Sequence, residues 1–335
     1  MDKYMPPFSL TNLMVNYIGR ISEKISKIDT FNLESKPILR RSNRIKSIYS
    51  SLLIEANTLN EEEVRDVING KKVIGPLDQI LEVKNAAKAY ELIDEINVSS
   101  LKDLNRVHKV LTKDLVKEAG VFRKGEEGVF DGDRCIFMAP PARMVPELME
   151  ELFNWLKTSK DEIHPLIIAC VFHYEFVFIH PFADGNGRMA RLWQTAIMAK
   201  WNNNFKYIPI ESQIAKFQNE YYEVISKCHS KGESTLFIEF MLKRIDEALD
   251  DILIKVKLDN ESSKYVKRLL EVMDIDIPYS ANELLILLNL KSKETLRRNY
   301  LDPAIDNEYV KMEFPEKRKS KNQRYIKQWF YWCKI

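Results

Sequence analysis

Apolar positions recur mostly at helical spacing, with few interruptions by glycine or proline. Residues 9–95 read as helices joined by short turns. Asn60 with Glu63 forms a capping-box-like start, while Gly70 and the Gly75–Pro76 pair mark a break. Ser99 to Glu118 carries Leu101, Leu104, Val107, Val110, Leu111 and Leu115 on a helical period. Gly120 to Pro141 departs from this pattern. Its glycines separate the β-favouring runs GVF and CIFM, which predicts a hairpin around Asp131–Gly132. Pro141–Pro146 is a connector leading into a helix that ends near Lys157. A buried helix follows over His164–Phe176, then a loop over His180–Gly187 and a helix over Asn186–Lys200. Residues 211–258 predict two amphipathic helices.

The composition shifts after Asn260. Ser280 and Glu283 form a second capping box, Asn289–Lys291 a turn, and Ser292–Tyr300 another helix. Two β-like runs, Tyr309–Phe314 and Arg324–Tyr331, flank the basic segment EKRKSKNQR. Helix, turn, helix and hairpin in this order predict a winged helix. The expected organisation is an N-terminal helical region (1–95), a core (96–258) and a winged helix-turn-helix domain (259–335), giving an all-α fold with a small β-hairpin.

The 335 residues are 45% hydrophobic and 30% charged, with 10 glycines and 13 prolines, which is ordinary globular composition. A formal net charge of +2 predicts no global attraction to nucleic acid. Four scattered cysteines without a CxxC pair support neither a zinc ribbon nor a disulfide framework. The N-terminus (MDKYMPPFSL) has no basic segment followed by an apolar run, so no signal peptide is expected. The most apolar stretch, Leu166–Ile179, is too short to span a bilayer and is interrupted by His173 and Glu175. The expected compartment is the cytoplasm, away from any membrane.

The chemistry concentrates in HPFADGNGRMAR, residues 180–191. Gly185, Asn186 and Gly187 make a side-chain-poor turn into a helix, so successive N–H groups and the helix dipole converge on one point, an anion site suited to phosphate. Arg188 and Arg191 share a helix face, and two guanidinium forks suit a polyphosphate. Asp184 is an isolated carboxylate fit to hold Mg²⁺ beside phosphate oxygens. His180 has the ordinary pKa of a general base near neutrality. Together these residues point to phosphorus-centred group transfer. Arg188 also has a plainer reading, as a helix arginine paired with a carboxylate. His173 reads as a hydrogen-bonded core residue, and His108, His164 and His229 as structural or surface groups.

The segment matches every defined position of H-P-F-x-D/E-G-N-G-R-x-x-R, and the chain on these residues resembles the Fic family. That resemblance implies ATP and Mg²⁺ as cofactors and transfer of AMP to a Ser, Thr or Tyr hydroxyl of a protein, including self-modification. His180 would be the base and Asp184 the Mg²⁺ ligand. Gly185, Asn186 and Gly187 would form the phosphate nest, with Asn186 contacting the α-phosphate, Arg188 the β-phosphate and Arg191 the γ-phosphate. Gly120–Pro141 resembles the family's flap, which holds a target segment as an added strand. Glu220–Tyr222 resembles a segment near the base pocket, although Tyr221 and Tyr222 also read as core aromatics.

Ser51-Leu52-Leu53-Ile54-Glu55-Ala56-Asn57 resembles the family's inhibitory helix, S/T-x-x-x-E-G/N. The resemblance implies that Glu55 pairs with Arg191 in the γ-phosphate's place, whereas the plainer reading makes Glu55 an ordinary exposed helix charge. Ala56 departs from the pattern, which prefers Gly or Asn, and alanine favours helix over glycine. Other readings stay open: removal of AMP by the same site with Glu55 positioning water, or a nucleotide-sensing DNA-binding regulator. His180 beside Asp184 favours catalysis over sensing, and an inhibitor in the same chain disfavours a toxin half of a toxin–antitoxin pair. The winged helix, with Arg297, Arg298 and the Lys317–Lys321 run, could dock DNA or protein, and a homodimer is compatible with the same reading.

Overall fold

A computed structural model describes residues 4–33, 36–131, 134–261, 264–274, 277–306, 309–318, 320 and 322–327. The chain forms two units, Met1–Asp250 and Asp251–Ile335. The first begins with α1 (Asn12–Thr30), α2 (Pro37–Ile54), α3 (Glu61–Ile68), α4 (Leu77–Glu91) and α5 (Leu101–Leu111). Side-chain caps start several of these. Thr11 accepts from the Met14 N–H, Ser100 from the Asp103 N–H, and Asn60 with Glu63 completes the expected capping box.

A hairpin follows, β1 (Gly128–Asp131) against β2 (Arg134–Met138), antiparallel and shifted in register between Val129 and Phe130. The strands match the expected hairpin, and Gly132 of its turn lies outside the described residues. Then come α6 (Val145–Thr158), α7 (Pro165–Ile179), α8 (Asn186–Trp201), α9 (Ile210–Lys216), α10 (Gln218–Lys231) and α11 (Thr235–Glu261). The stretch expected to hold two helices therefore holds three. Phe217 leaves helical geometry (φ −116°, ψ 37°) between α9 and α10, and Gly232 ends α10 at φ 68°.

Two further boundaries differ from expectation. The helix predicted to reach Glu118 stops at Leu111, because Asp114 turns left-handed at φ 60° and Gly120 at φ 82°. Ala56 is not helical. α2 ends at Ile54, and Ala56 sits beyond it at φ 62°. The Ala56 N–H donates to Leu53 O (3.0 Å) and the Asn57 N–H to Leu52 O (3.1 Å), a Schellman end to the helix. The left-handed position following the helix is where glycine or asparagine is favoured, so the pattern's preference concerns the cap and not helix propensity. Ala56→Gly should stabilise the protein by about 1 kcal/mol and raise Tm by about 2–4 °C in a thermal melt. A lowered Tm would contradict the left-handed placement.

α7 is apolar on all sides, buried along almost its whole length, and packs against α8. Each fully buried Phe, Ile or Leu contributes about 1.5–3 kcal/mol, so this pair anchors the loop that joins it. The buried polar groups of α7 find partners. His173 faces Gln194 and the Tyr221 hydroxyl (2.9 Å), as expected of a core histidine. Glu175 accepts from the Tyr4 hydroxyl at 2.8 Å, and burial pushes its carboxyl up to about 7. Glu211 on α9 accepts from Ser47 on α2 and Tyr90 on α4, both at 2.8 Å, and ties three helices together.

The second unit contains α12 (Lys264–Val272), β3 (Pro278–Ser280), α13 (Ala281–Leu287), α14 (Lys293–Thr295), α15 (Asp302–Asp306), β4 (Val310–Met312) and β5 (Arg324–Lys327). Its sheet runs β3-β5-β4, antiparallel throughout, over a core that includes Leu269, Leu284, Leu296, Tyr300 and Val310. The Ser280–Glu283 capping box is present. A wide π-type turn over Leu296–Leu301 joins α14 to α15, with the Asp302 N–H donating to Arg297 O. Pro303 has no N–H to donate four residues back, and the widened turn carries the helix past it instead of ending near Tyr300. Of the run expected over Arg324–Tyr331, the part beyond Lys327 lies outside the described residues. Among the described residues, no helix is long and apolar enough to cross a membrane.

Candidate active site

The loop between α7 and α8 is held by its own residues. Phe182 is fully buried, and its ring stacks on His108 with centroids 3.6 Å apart. The Asn186 side chain accepts from the Phe182 N–H (2.9 Å) and donates to Phe182 O (2.6 Å). The Asn186 side-chain amide thus closes the loop internally, which leaves its main-chain N–H for the anion turn. Gly185, at φ 81°, leads into α8, and a Cβ there would meet Thr112 Cγ2 at 2.9 Å. The N–H groups of Asn186, Gly187 and Arg188 lie in the first turn and have no intrahelical acceptor. They and the dipole make this end of α8 attractive to an anion.

The chain itself supplies that anion. A Cβ added at Gly187 would collide with Glu55 Oε1. The same oxygen accepts from Arg191 Nη2 at 2.8 Å. Arg191, almost wholly buried, also donates from Nε to Ser51 Oγ (3.0 Å) and from Nη2 to Ser51 O (2.9 Å). Ser51, Glu55 and Arg191 are thus brought together, with Gly187 beneath the carboxylate. Arg188 donates from Nη1 to Glu82 Oε1 (2.7 Å) and from Nη2 to Asp184 Oδ1 (3.0 Å) and Oδ2 (3.1 Å). Its plainer reading, an arginine paired with a carboxylate, is the arrangement seen. Asp184 stays half exposed at the loop's edge.

His180 caps α7 in the left-handed region (φ 52°, ψ 60°), a conformation costly for a non-glycine residue and typical of functional positions. Its Nδ1 lies 3.4 Å from Val177 O, which can only accept, so the proton sits on Nδ1 and Nε2 is left basic. Burial pulls the His180 pKa below its ordinary value, partly offset by that carbonyl and by Glu127. The shift favours the neutral imidazole that a general base requires.

Three further residues shape the site and carry little local signal in the sequence. Arg123, 3% exposed, reaches four main-chain carbonyls: His180 O (2.6 Å), Gly125 O (2.8 Å), Pro140 O (2.5 Å) and Ile179 O (3.3 Å). Its own N–H donates to Pro181 O at 2.9 Å, so the hairpin base is clamped to the His180 loop. His108 accepts at Nδ1 from the Gly120 N–H (2.8 Å) and contacts Asp184 O through Nε2 (2.9 Å). Burial pushes its pKa down to about 4, so the neutral ring can serve both partners. The one hint of this was a histidine on the buried stripe of α5 beside Leu104, Val107 and Leu111. Glu82, on α4, is the third.

Residues 98–198 match the Fic/DOC family, and residues 264–326 match the Filamentation induced by cAMP protein Fic-like, C-terminal domain. The crystal structure of a Fic family protein from Desulfovibrio desulfuricans G20 is 40% identical, with a TM-score of 0.72, covering 97% of this chain and 98% of that one. The chain belongs to the Fic family. A protein adenylyltransferase Fic of Nematostella vectensis is 30% identical over 251 residues, 70% of this chain and 55% of the relative. Its counterpart in Drosophila melanogaster is 29% identical over 245 residues, 69% of this chain and 47% of the relative. This Fic chain thus spans about half the length of the curated relatives it matches. Its first unit is a Fic-type helical core with a small β-hairpin.

Proposed function

We propose that this Fic protein transfers AMP from ATP to a Ser, Thr or Tyr hydroxyl of a protein, its own chain included, and that Glu55 restrains the reaction. The observation that carries this reading is the Glu55 carboxylate lying over Gly187 and paired with Arg191, an internal anion where a phosphate would sit. Relatives named protein adenylyltransferase support the choice of AMP.

His180 Nε2 takes the proton of the target hydroxyl, whose oxygen attacks the α-phosphorus. The bond from that phosphorus to the bridging oxygen breaks, and pyrophosphate leaves with both bonding electrons. The N–H groups at the start of α8 hold phosphate oxygens, Arg191 takes the γ-phosphate once Glu55 withdraws, and Arg188 takes the β-phosphate. Asp184 fits Mg²⁺, which binds through one or two carboxylates together with phosphate oxygens and waters. Among the described residues no group of three or more His, Cys, Asp or Glu gathers into a cage. When bound, Mg²⁺ neutralises phosphate charge. We read the second unit as a winged helix whose exposed Arg298, Lys317 and Arg318 suit an acidic partner.

The test is incubation of the purified protein with Mg²⁺ and α-labelled ATP, followed by intact mass. The Glu55→Gly form should gain one AMP. Label entering only from γ-labelled ATP would replace AMP transfer with phosphoryl transfer. The pH profile gives a separate check. The base must be neutral, and its pKa is lowered, so the fall in rate on acidification should begin below the ordinary histidine value of 6.5. A fall centred above 6.5 would argue against His180 as the base.

A further inference from the structure

Two carboxylates from upstream helices, not one, face the two arginines of the anion site. Glu55 meets Arg191, and Glu82 meets Arg188 through Nη1 at 2.7 Å. With Asp184 on the other side of Arg188, three carboxylates surround two guanidiniums. That balance opposes entry of a polyphosphate. Arg188 is 5% exposed, and its Nε is buried without a partner, so one directional donor is unused in this arrangement.

Asn57, two residues past Glu55, connects the pairs. Its main-chain N–H ends α2 on Leu52 O. Its Nδ2 donates to Glu82 Oε2 at 2.8 Å and to Gln79 O at 3.3 Å. Its Oδ1 accepts from the Leu59 N–H at 3.1 Å, and Asn57 is 3% exposed. The end of α2 that presents Glu55 is therefore bonded, through one amide, to the counter-ion of Arg188. Displacing that end to free Arg191 also removes a donor that fixes Glu82.

We propose that Glu82 is a second counter-ion gate on the anion site, released together with Glu55 through Asn57. The proposal rests on the reading of this site as a nucleotide-phosphate site. It differs from a role for Glu82 in holding Arg188 ready for phosphate, and the two predict opposite signs.

The experiment is calorimetric titration of Mg-ATP into the full chain as wild type, Glu55→Gly, Glu82→Gln, Asn57→Ala and Asn57→Ala/Glu82→Gln, with a thermal melt of each. Glu82→Gln keeps the shape and one acceptor but removes the charge, and should tighten binding about tenfold. Asn57→Ala should tighten it about threefold in the wild type and have no further effect beside Glu82→Gln. Tight binding by Glu55→Gly together with weakened or unchanged binding by Glu82→Gln would overturn the gate and leave the anion site standing. Absence of Mg-ATP binding in every folded variant, Glu55→Gly included, would overturn both.

Discussion

His180→Ala, in a Glu55→Gly background, is expected to lower AMP transfer by about 10²–10⁴-fold while Mg-ATP binding changes by less than about twofold. The separation follows from where the groups stand. The anion-binding N–H groups and Arg191 belong to α8, whereas His180 caps α7 on the far side of the loop. Its main-chain contacts, the N–H to Phe176 O and the carbonyl to Arg123, survive truncation to alanine. Both residues are β-carbon-bearing and meet the same left-handed strain, so the loop should hold its shape. Intact mass gives the rate, and calorimetry gives the affinity. Retention of full transfer would remove His180 as the base, and joint loss of transfer and binding would point to a collapsed loop.

Glu55→Gly is expected to raise transfer about ten- to a hundredfold and to lower stability. Close charge pairs in desolvated sites are coupled by a few kcal/mol, and each 1.4 kcal/mol corresponds to about tenfold in occupancy of Arg191 by a phosphate. The same change strips a buried guanidinium of its counter-charge. Glu55 is about one-third exposed and Arg191 keeps both Ser51 oxygens, so the loss should fall below the roughly 3–5 kcal/mol of a fully buried pair, at about 1–2 kcal/mol. A gain in rate with a fall in Tm is the signature of a restraint, because general damage lowers both. Equal rates for the variant and the wild type would sink the restraint.

How much of this was legible in the sequence depends on how far apart the cooperating residues lie. The anion loop is contiguous, and its dense pattern displays Gly185, Gly187, Arg188 and Arg191 together. The capping boxes at Asn60–Glu63 and Ser280–Glu283 are equally local, and both formed as read. Glu82 was invisible because its partner Arg188 is more than a hundred residues away and an exposed helix glutamate looks the same. Arg123 was invisible for a different reason. Its acceptors are carbonyl oxygens, which every residue carries, so no neighbouring side chain betrays them. Ala56 was misplaced by a propensity argument that assumed it was helical, when its backbone had already turned left-handed. The Asn186 side-chain bonds to Phe182 could not be read from the sequence either, because an amide can satisfy both a donor and an acceptor of its own loop without any partner side chain.

The Arg123 clamp has a consequence for how such a protein can change. Because the guanidinium grips only carbonyl oxygens at positions 125, 140, 179 and 180, the clamp itself does not depend on which side chains those positions bear. On the reading of this hairpin as a flap that holds a target segment, its residues outside the Phe137 contact with Phe178 and His229 could be exchanged while the clamp keeps the His180 loop aligned. Lysine could not inherit the task, since one ammonium cannot span four acceptors fanned across two segments. On that reading, variation in what is recognised and constancy in how it is presented would fall to separate parts of the chain, a modularity that would let new specificities arise one hairpin residue at a time.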